Sequence, residues 1–331
     1  MRRFRFAGAV LGAAVLAVAM LPMAAIAQSP SPGASLPAVG KVIGLSVKTI
    51  TNDPFQAAWV DSATKTVESL GGTVQLLVAG GETAVASQAS QLADLVAQQV
   101  DGIIISALDG AAVIPALQQA KDAGIPVILV DQPIQAGNEA LYETLIATDN
   151  VKAGRDLATY LVTTMPDAAL KVAIIEGAPG SVAGDDRLKG FLEGLSSNGI
   201  TPVASATGEW QNAKALAAME NILTANPDLQ AVLSASDVMT DGIIQALAGA
   251  GKTDVKVLAI DGSKVGIQGV LDGKILADNT QDPMAMGSKA AEYIVGIATG
   301  TVAPGSLPKY IDSGTQTVTL ENAQDAMAKA F

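Results

Sequence analysis

The sequence predicts an α/β protein with two similar lobes, each built on a parallel sheet. From residue 42 onward, short β-branched runs alternate with amphipathic helical stretches, the pattern of parallel α/β architecture. A length of 331 residues with 49 % apolar side chains supports a large core and more than one domain. At Thr148-Asp149-Asn150 the alternation restarts as a second series of the same style, without repeated sequence.

Residues 1–27 read as a targeting segment. Arg2, Arg3 and Arg5 precede an apolar stretch from Phe6 to about Met23, and Ala25-Ile26-Ala27 follows. A basic start, an apolar middle and small residues before the cleavage point describe a secretory signal peptide, with Gln28 as the new N-terminus. The rival reading is an uncleaved anchor, because the apolar stretch nearly reaches the ~20 residues that span a bilayer. The Ser/Pro/Gly-rich tract over 28–40 reads as a linker and favours cleavage and export.

The first unit after the linker organises the rest. Residues 42–47 are an apolar, β-branched strand ending at Lys48, a mostly polar loop covers 49–53, and Pro54 suits the first position of a helix. Over 56–70, Ala57, Val60, Ala63, Val67 and Leu70 recur at helical spacing, and Gly71-Gly72 ends the run. Further strands are expected at 73–78, 102–106, 127–130 and 144–147, with helices at 83–99 and 111–123. Beyond the seam, strands are expected at 171–175, 203–206, 231–234, 255–260 and 275–279. Helices fall at 151–164, 182–197, 212–224, 238–248 and 284–299, with a short one after Gly262. Strand-like pieces at 310–311 and 316–320 close the pattern.

Composition removes several function classes. A formal net charge of −12 argues against nucleic acid as a partner, which needs clustered Lys and Arg. With no Cys there is no disulfide, thiolate nucleophile or lipidated N-terminal Cys. With no His, serine–histidine triads and His-based metal sites are excluded. No catalytic residue, metal or cofactor is assigned, and the chain is expected not to be an enzyme.

Three motifs have plain explanations. Gly249-Ala-Gly-Lys-Thr253 resembles the end of a phosphate loop, but it follows a helix, and Ala246 stands where the first Gly belongs. The Gly-rich run from Gly177 to Gly184 lies between strand and helix without dinucleotide spacing. Its glycines either admit a ligand to the backbone or simply make the turn. Asp185-Asp186 lacks the alternating oxygen spacing of a calcium loop.

The strand ends carry a more informative set. Lys48, Asp53, Phe55 and Gln56 follow the first strand, and Asp131 and Gln132 the fourth. Arg187 opens the helix after the Gly-rich loop. Trp210, Ser236, Asp261 and Gln281 follow later strands. Asp and Ser belong at such positions as helix caps whatever the function. Arg187, Trp210 and Gln281 are not favoured caps, so the set as a whole points to a ligand. In open α/β sheets ligands sit beyond the carboxyl ends of the strands. Carboxylates, amides and a guanidinium together satisfy hydroxyls, which both donate and accept. Trp59, one turn after Phe55, reads as packing.

At these residues the chain resembles the periplasmic sugar-binding proteins of ABC importers, in the ribose/galactose-binding group related to the effector domain of LacI-type repressors. The resemblance covers about 41–319. It rests on the order of Thr51-Asn-Asp-Pro-Phe55, Gly124-Ile-Pro-Val-Ile-Leu-Val-Asp-Gln-Pro133, Ala147-Thr-Asp-Asn150, Arg187-x-x-Gly-Phe191, the run 226–237 and Ala259-Ile-Asp-Gly262. It implies two Rossmann-like lobes joined by three hinge crossings, near Thr148, Gln281 and 311–312. The first lobe would comprise 41–148 with 282–311, and the second 149–281 with 312–331. It also implies that sugar contacts fall on Lys48, Asp53, Phe55, Gln56, Asp131, Gln132, Arg187, Trp210, Ser236, Asp261 and Gln281.

Ribose-binding members typically carry Arg, Phe and Asn where this chain has Gln132, Gln56 and Ser236, and Lys48 is closer to fructose-type or polyol-type members. The resemblance therefore implies a small sugar or polyol other than ribose. The same resemblance implies a periplasmic protein whose lobes close on the ligand and pass it to a membrane permease; the absence of Cys implies no lipid anchor, and a monomer is expected. A sensory module serving a chemoreceptor or kinase is the alternative role. A repressor would need a DNA-binding N-terminus, and the signal peptide occupies that end.

Overall fold

The computed structural model describes residues 37–51, 53–81 and 83–331, so the expected signal peptide and most of the linker lie outside the described residues. In chain order the first series is β1 (Val42–Val47), α1 (Pro54–Ser69), β2 (Thr73–Val78), α2 (Val85–Ala97), β3 (Gly102–Ile105), α3 (Ile114–Asp122), β4 (Val127–Val130) and β5 (Thr144–Ala147). The second is α4 (Asn150–Thr164), β6 (Val172–Glu176), α5 (Val182–Ser196), β7 (Ala204–Thr207), α6 (Asn212–Ala225), β8 (Ala231–Ser234), α7 (Thr240–Gly249), β9 (Lys256–Asp261), α8 (Lys264–Leu271) and β10 (Ala277–Thr280). Then come α9 (Pro283–Thr299), β11 (Tyr310–Asp312), β12 (Thr317–Val318) and α10 (Ala323–Met327).

These strands form two six-stranded sheets, in the orders β11-β5-β4-β3-β1-β2 and β12-β10-β9-β8-β6-β7. All pairings are parallel except the short β10–β12 edge. The central strands are buried on both faces, as β3, β4, β5 and β8 show along their whole length. In each sheet the strand order reverses beside one strand, β1 in the first and β6 in the second. The crevice at such a switch point is where doubly wound folds bind ligands.

The chain passes between the lobes three times: from β5 to α4, from β10 to α9, and from β11 to β12. α9 returns to the first lobe, where its Ile294 packs so closely on β3 that a Cβ on Gly102 would lie 2.5 Å from it. The crossings touch one another: Thr148 Oγ1 and Ser313 Oγ lie 3.3 Å apart, and the Asp149 N–H donates to Asp312 Oδ1 at 3.4 Å.

α4 and α5 cross at backbone contact. A Cβ on Gly154 would lie 2.4 Å from the Arg187 carbonyl oxygen, and one on Gly190 would lie 2.2 Å from that of Val151. Only glycines permit this approach, and it carries Arg187 on α5 to Asn150 at the start of α4. Two features differ from the expectation. The stretch over 238–248 is divided into a 3-10 turn (Asp237–Met239) and α7, because Ser236 caps the turn through Val238 N–H. α10, only five residues long, is too short to display a helical period in the sequence.

Candidate functional site

The carboxyl ends of the strands bring the polar set into two facing groups. In the first lobe Asp53 caps α1, its Oδ1 accepting from Gln56 N–H at 3.1 Å, while its Oδ2 lies 3.5 Å from Lys48 Nζ. One carboxylate thus caps the helix and meets the strand-end Lys48. Gln56 is buried and turned inward. Its Oε1 accepts from Trp59 Nε1 at 2.7 Å, and its Nε2 donates to Asp131 Oδ2 at 3.4 Å. Trp59 is fully buried, in keeping with packing.

Asp131 is the centre of this group. It follows β4 with φ +67°, a left-handed conformation that a residue with a side chain seldom takes, and its own N–H is held by the Ile146 carbonyl. Gln132 Nε2 donates to Asp131 Oδ2 at 3.1 Å. Burial raises the Asp131 carboxyl above its ordinary range; the Lys48 ammonium, the Gln132 bond and the Arg187 guanidinium pull it back down. Lys48 belongs to the first lobe and Arg187 to the second, so Asp131 feels a cation from each side.

The second lobe presents a tighter network. Arg187 Nε donates to Asn150 Oδ1 at 2.8 Å, and its Nη1 donates to the Ala235 carbonyl at 2.6 Å and to Asp261 Oδ1 at 3.0 Å. Gln281 Nε2 donates to the same Asp261 oxygen at 2.7 Å. Asp261 Oδ2 accepts from Ser236 Oγ and from Asp237 N–H. All of these side chains are buried, so each bond forms in a low-dielectric setting that strengthens it.

Trp210 completes the group from above. Its ring centroid lies 5.7 Å from Arg187 Cζ, a cation–π distance. Glu209 and Trp210 both have positive φ, which turns the chain sharply enough to lay the indole over the Gly-rich loop. A Cβ on Gly177 would stand 2.1 Å from the indole, and one on Gly184 would stand 3.2 Å from it. Those glycines therefore make room for Trp210, a role the sequence left between ligand approach and turn formation.

Three residues outside the sequence-derived set join the site. Asn150 orients Arg187; its sequence signal was its place in the Ala147-Thr-Asp-Asn150 seam. Asp237 accepts from both Ser263 N–H and Ser263 Oγ directly beneath Asp261. Phe331, beyond α10, meets Phe55 edge to face with ring centroids 5.9 Å apart. Grooves of about 550 Å³ along α5 and about 460 Å³ between α7 and α8 contain none of the eleven expected contact residues.

A model of the periplasmic binding protein domain matches residues 43–301. The chain belongs to the periplasmic binding protein family. This periplasmic binding protein is 32 % identical over 250 residues to the ribose import binding protein of Bacillus subtilis (strain 168), covering 76 % of this chain and 79 % of the relative. It is 31 % identical over 259 residues to the D-allose-binding periplasmic protein of Escherichia coli (strain K12), covering 75 % and 82 %. Among solved structures it is similar to an ABC transporter periplasmic solute binding protein from Actinobacillus succinogenes 130z with bound D-allose. That match has a TM-score of 0.79 and 28 % identity, covering 86 % of this chain and 99 % of the other. An ABC transporter solute binding protein from Mycobacterium smegmatis with bound glycerol gives a TM-score of 0.77 at 30 % identity, covering 86 % and 96 %.

Proposed function

We propose that this chain captures a small sugar or polyol between its two lobes and delivers it to the membrane permease of an ABC importer. The observation that carries the reading is the set of buried polar groups whose hydrogen-bonding capacity is only partly used by the protein. Among the described residues, Asp131 Oδ1 accepts no hydrogen bond, Arg187 Nη2 donates none, and buried Gln281 Oε1 has no partner. Gln281 Oε1 is fully buried without a partner, and a buried acceptor left unmade costs about 1–3 kcal/mol, so a hydroxyl that donates to it gains that energy on binding. Two acceptors and one planar donor suit vicinal hydroxyls.

The relatives that carry ribose and allose in their names, and the neighbours with D-allose and glycerol bound, support carbohydrate as the ligand class. Relatives named as import binding proteins favour delivery to a permease over sensing. The contact residues are taken as Lys48, Asp53, Phe55, Gln56, Asp131, Gln132, Arg187, Trp210, Ser236, Asp261 and Gln281. Gln56, whose Oε1 is held by Trp59, offers an amide and no ring to the ligand, which supports a sugar or polyol other than ribose. The reading includes export with removal of 1–27, a linker over 28–40, lobes at 41–148 with 282–311 and 149–281 with 312–331, a monomer, and binding without turnover.

A thermal-shift panel of D-ribose, D-allose, D-fucose, L-arabinose, myo-inositol and glycerol tests it. A true ligand at ~100-fold excess over Kd stabilises by roughly 2.7 kcal/mol. If amino acids raise the melting temperature and no sugar or polyol does, the carbohydrate reading fails.

A further inference from the structure

We propose that Phe331 forms, with Phe55, an aromatic corner at the mouth of the cleft that retains the bound sugar or polyol, making Phe331 a determinant of affinity. The inference rests on the sugar-binding reading above and adds a residue from a segment outside both strand-end groups.

The corner joins the two lobes. Phe55 is on α1 of the first lobe, packed against that lobe's core. Phe331 is fixed to the second lobe by two independent attachments. Its carbonyl oxygen accepts from Lys264 N–H at 3.0 Å, three residues beyond Asp261. Its neighbour Ala330 is buried in the small core of Ile267, Val270, Ile275, Val318 and Ala323. The main chain of Phe331 is thus anchored at the start of α8, and its half-buried ring extends across to the other lobe.

The two rings meet at 5.9 Å and 80°, the edge-to-face geometry that aromatic pairs prefer. Each ring keeps part of its surface accessible. A corner of two perpendicular faces covers the C–H surface of a sugar while the polar groups below take its hydroxyls. Because the ring contact forms only when the lobes are together, it opposes opening and slows ligand escape.

The chain contains no Cys, so paired spin labels at Asp61→Cys and Asp228→Cys report the distance between the lobes without background. These side chains are each 61 % exposed, one on α1 and one between α6 and β8. Phe331→Ala is expected to shift the distance distribution toward the longer, open population. It is also expected to accelerate release of whichever of D-ribose, D-allose, D-fucose or glycerol stabilises the wild type, by about two- to tenfold. Phe331→Tyr, which keeps the ring edge, should restore both. A Phe331→Ala protein matching the wild type in distance and release rate overturns the proposal. If amino acids stabilise the wild type and no sugar or polyol of the thermal-shift panel does, the sugar reading fails instead, and the label distance without ligand alone decides whether Phe331 holds the lobes together.

Discussion

Arg187 and Asp261 form an ion pair at 3.0 Å in which the side chains are 4 % and 9 % exposed. A pair so buried gains little over a hydrophobic substitute, but removing one partner leaves a charge in low dielectric, at a cost of about 3–5 kcal/mol. Arg187→Ala should therefore lose both ligand binding and about 3 kcal/mol of stability in urea unfolding. Arg187→Lys should rescue little, because an ammonium cannot span Asn150, Ala235 and Asp261 as the planar guanidinium does. A lysine variant with wild-type affinity and stability would refute the structural role given to the fork.

Asp131 makes the opposite prediction. It occupies a left-handed conformation, which costs of order 1–3 kcal/mol, and burial disfavours its charge. Asp131→Gly removes both penalties, which offset the loss of the acceptor for Gln56 Nε2 and Gln132 Nε2. Binding should be abolished while the melting temperature is unchanged or rises. A glycine variant that binds normally would remove Asp131 from the site, and one that fails to fold would show that Asp131 is structural.

The contrast between these residues marks what was legible in the sequence. Local periodicity placed nearly every strand and helix within a few residues, since alternating βα units write their own boundaries. The strand-end positions of Asp131, Arg187, Asp261 and Gln281 followed from those units. Sheet order and the α4–α5 backbone contact did not, because long-range pairing has no local signal. Phe331 lies 276 positions from Phe55 in the chain, and no spacing rule connects them. Nor did the sequence separate Asp237 from an ordinary strand-end acid, since its burial depends on three strands meeting.

That burial predicts a pH dependence. Asp237 and Asp278 converge on Gly266, where a Cβ would lie 2.1 Å from Asp237 Oδ2 and 2.2 Å from Asp278 Oδ2. Burial and the nearby Asp261 charge push Asp237 up to about 7. Burial and the charges of Asp237 and Asp261 raise Asp278 well above its ordinary 3.8. A proton on Asp278 lets the two carboxyls share a hydrogen bond. The folded state holds protons that the unfolded chain releases near pH 4, so this pair's stabilisation is complete below that pH. It declines as pH rises, the share of Asp237 being lost through about 7. In Asp278→Asn, Oδ1 still accepts from Gly262 N–H, and the new amide donates to Asp237 at any pH. Relative to wild type, the variant should melt higher at pH 8, with the gap narrowing toward pH 4. A gap that stays constant across that range would contradict the shared proton.

Trp210 can be displaced without touching it. The Gly177 Cα faces the indole so closely that an added methyl group would sit 2.1 Å from the ring, well inside van der Waals contact. Gly177 is not among the positive-φ glycines, so Ala meets the indole as its obstacle rather than a forbidden backbone. Overpacking of this kind costs typically about 1–3 kcal/mol, and the ring must leave its place 5.7 Å from Arg187 to relieve it. Gly177→Ala should thus weaken ligand binding and alter indole fluorescence while losing modest stability. Trp59 is buried in the other lobe, so a Trp59→Phe background isolates the Trp210 signal. Gly249→Ala, where no atom lies within 4 Å of the added methyl, serves as the control and should change neither fluorescence nor affinity. Equal behaviour of the two alanine variants would mean that Trp210 does not depend on the gap at Gly177.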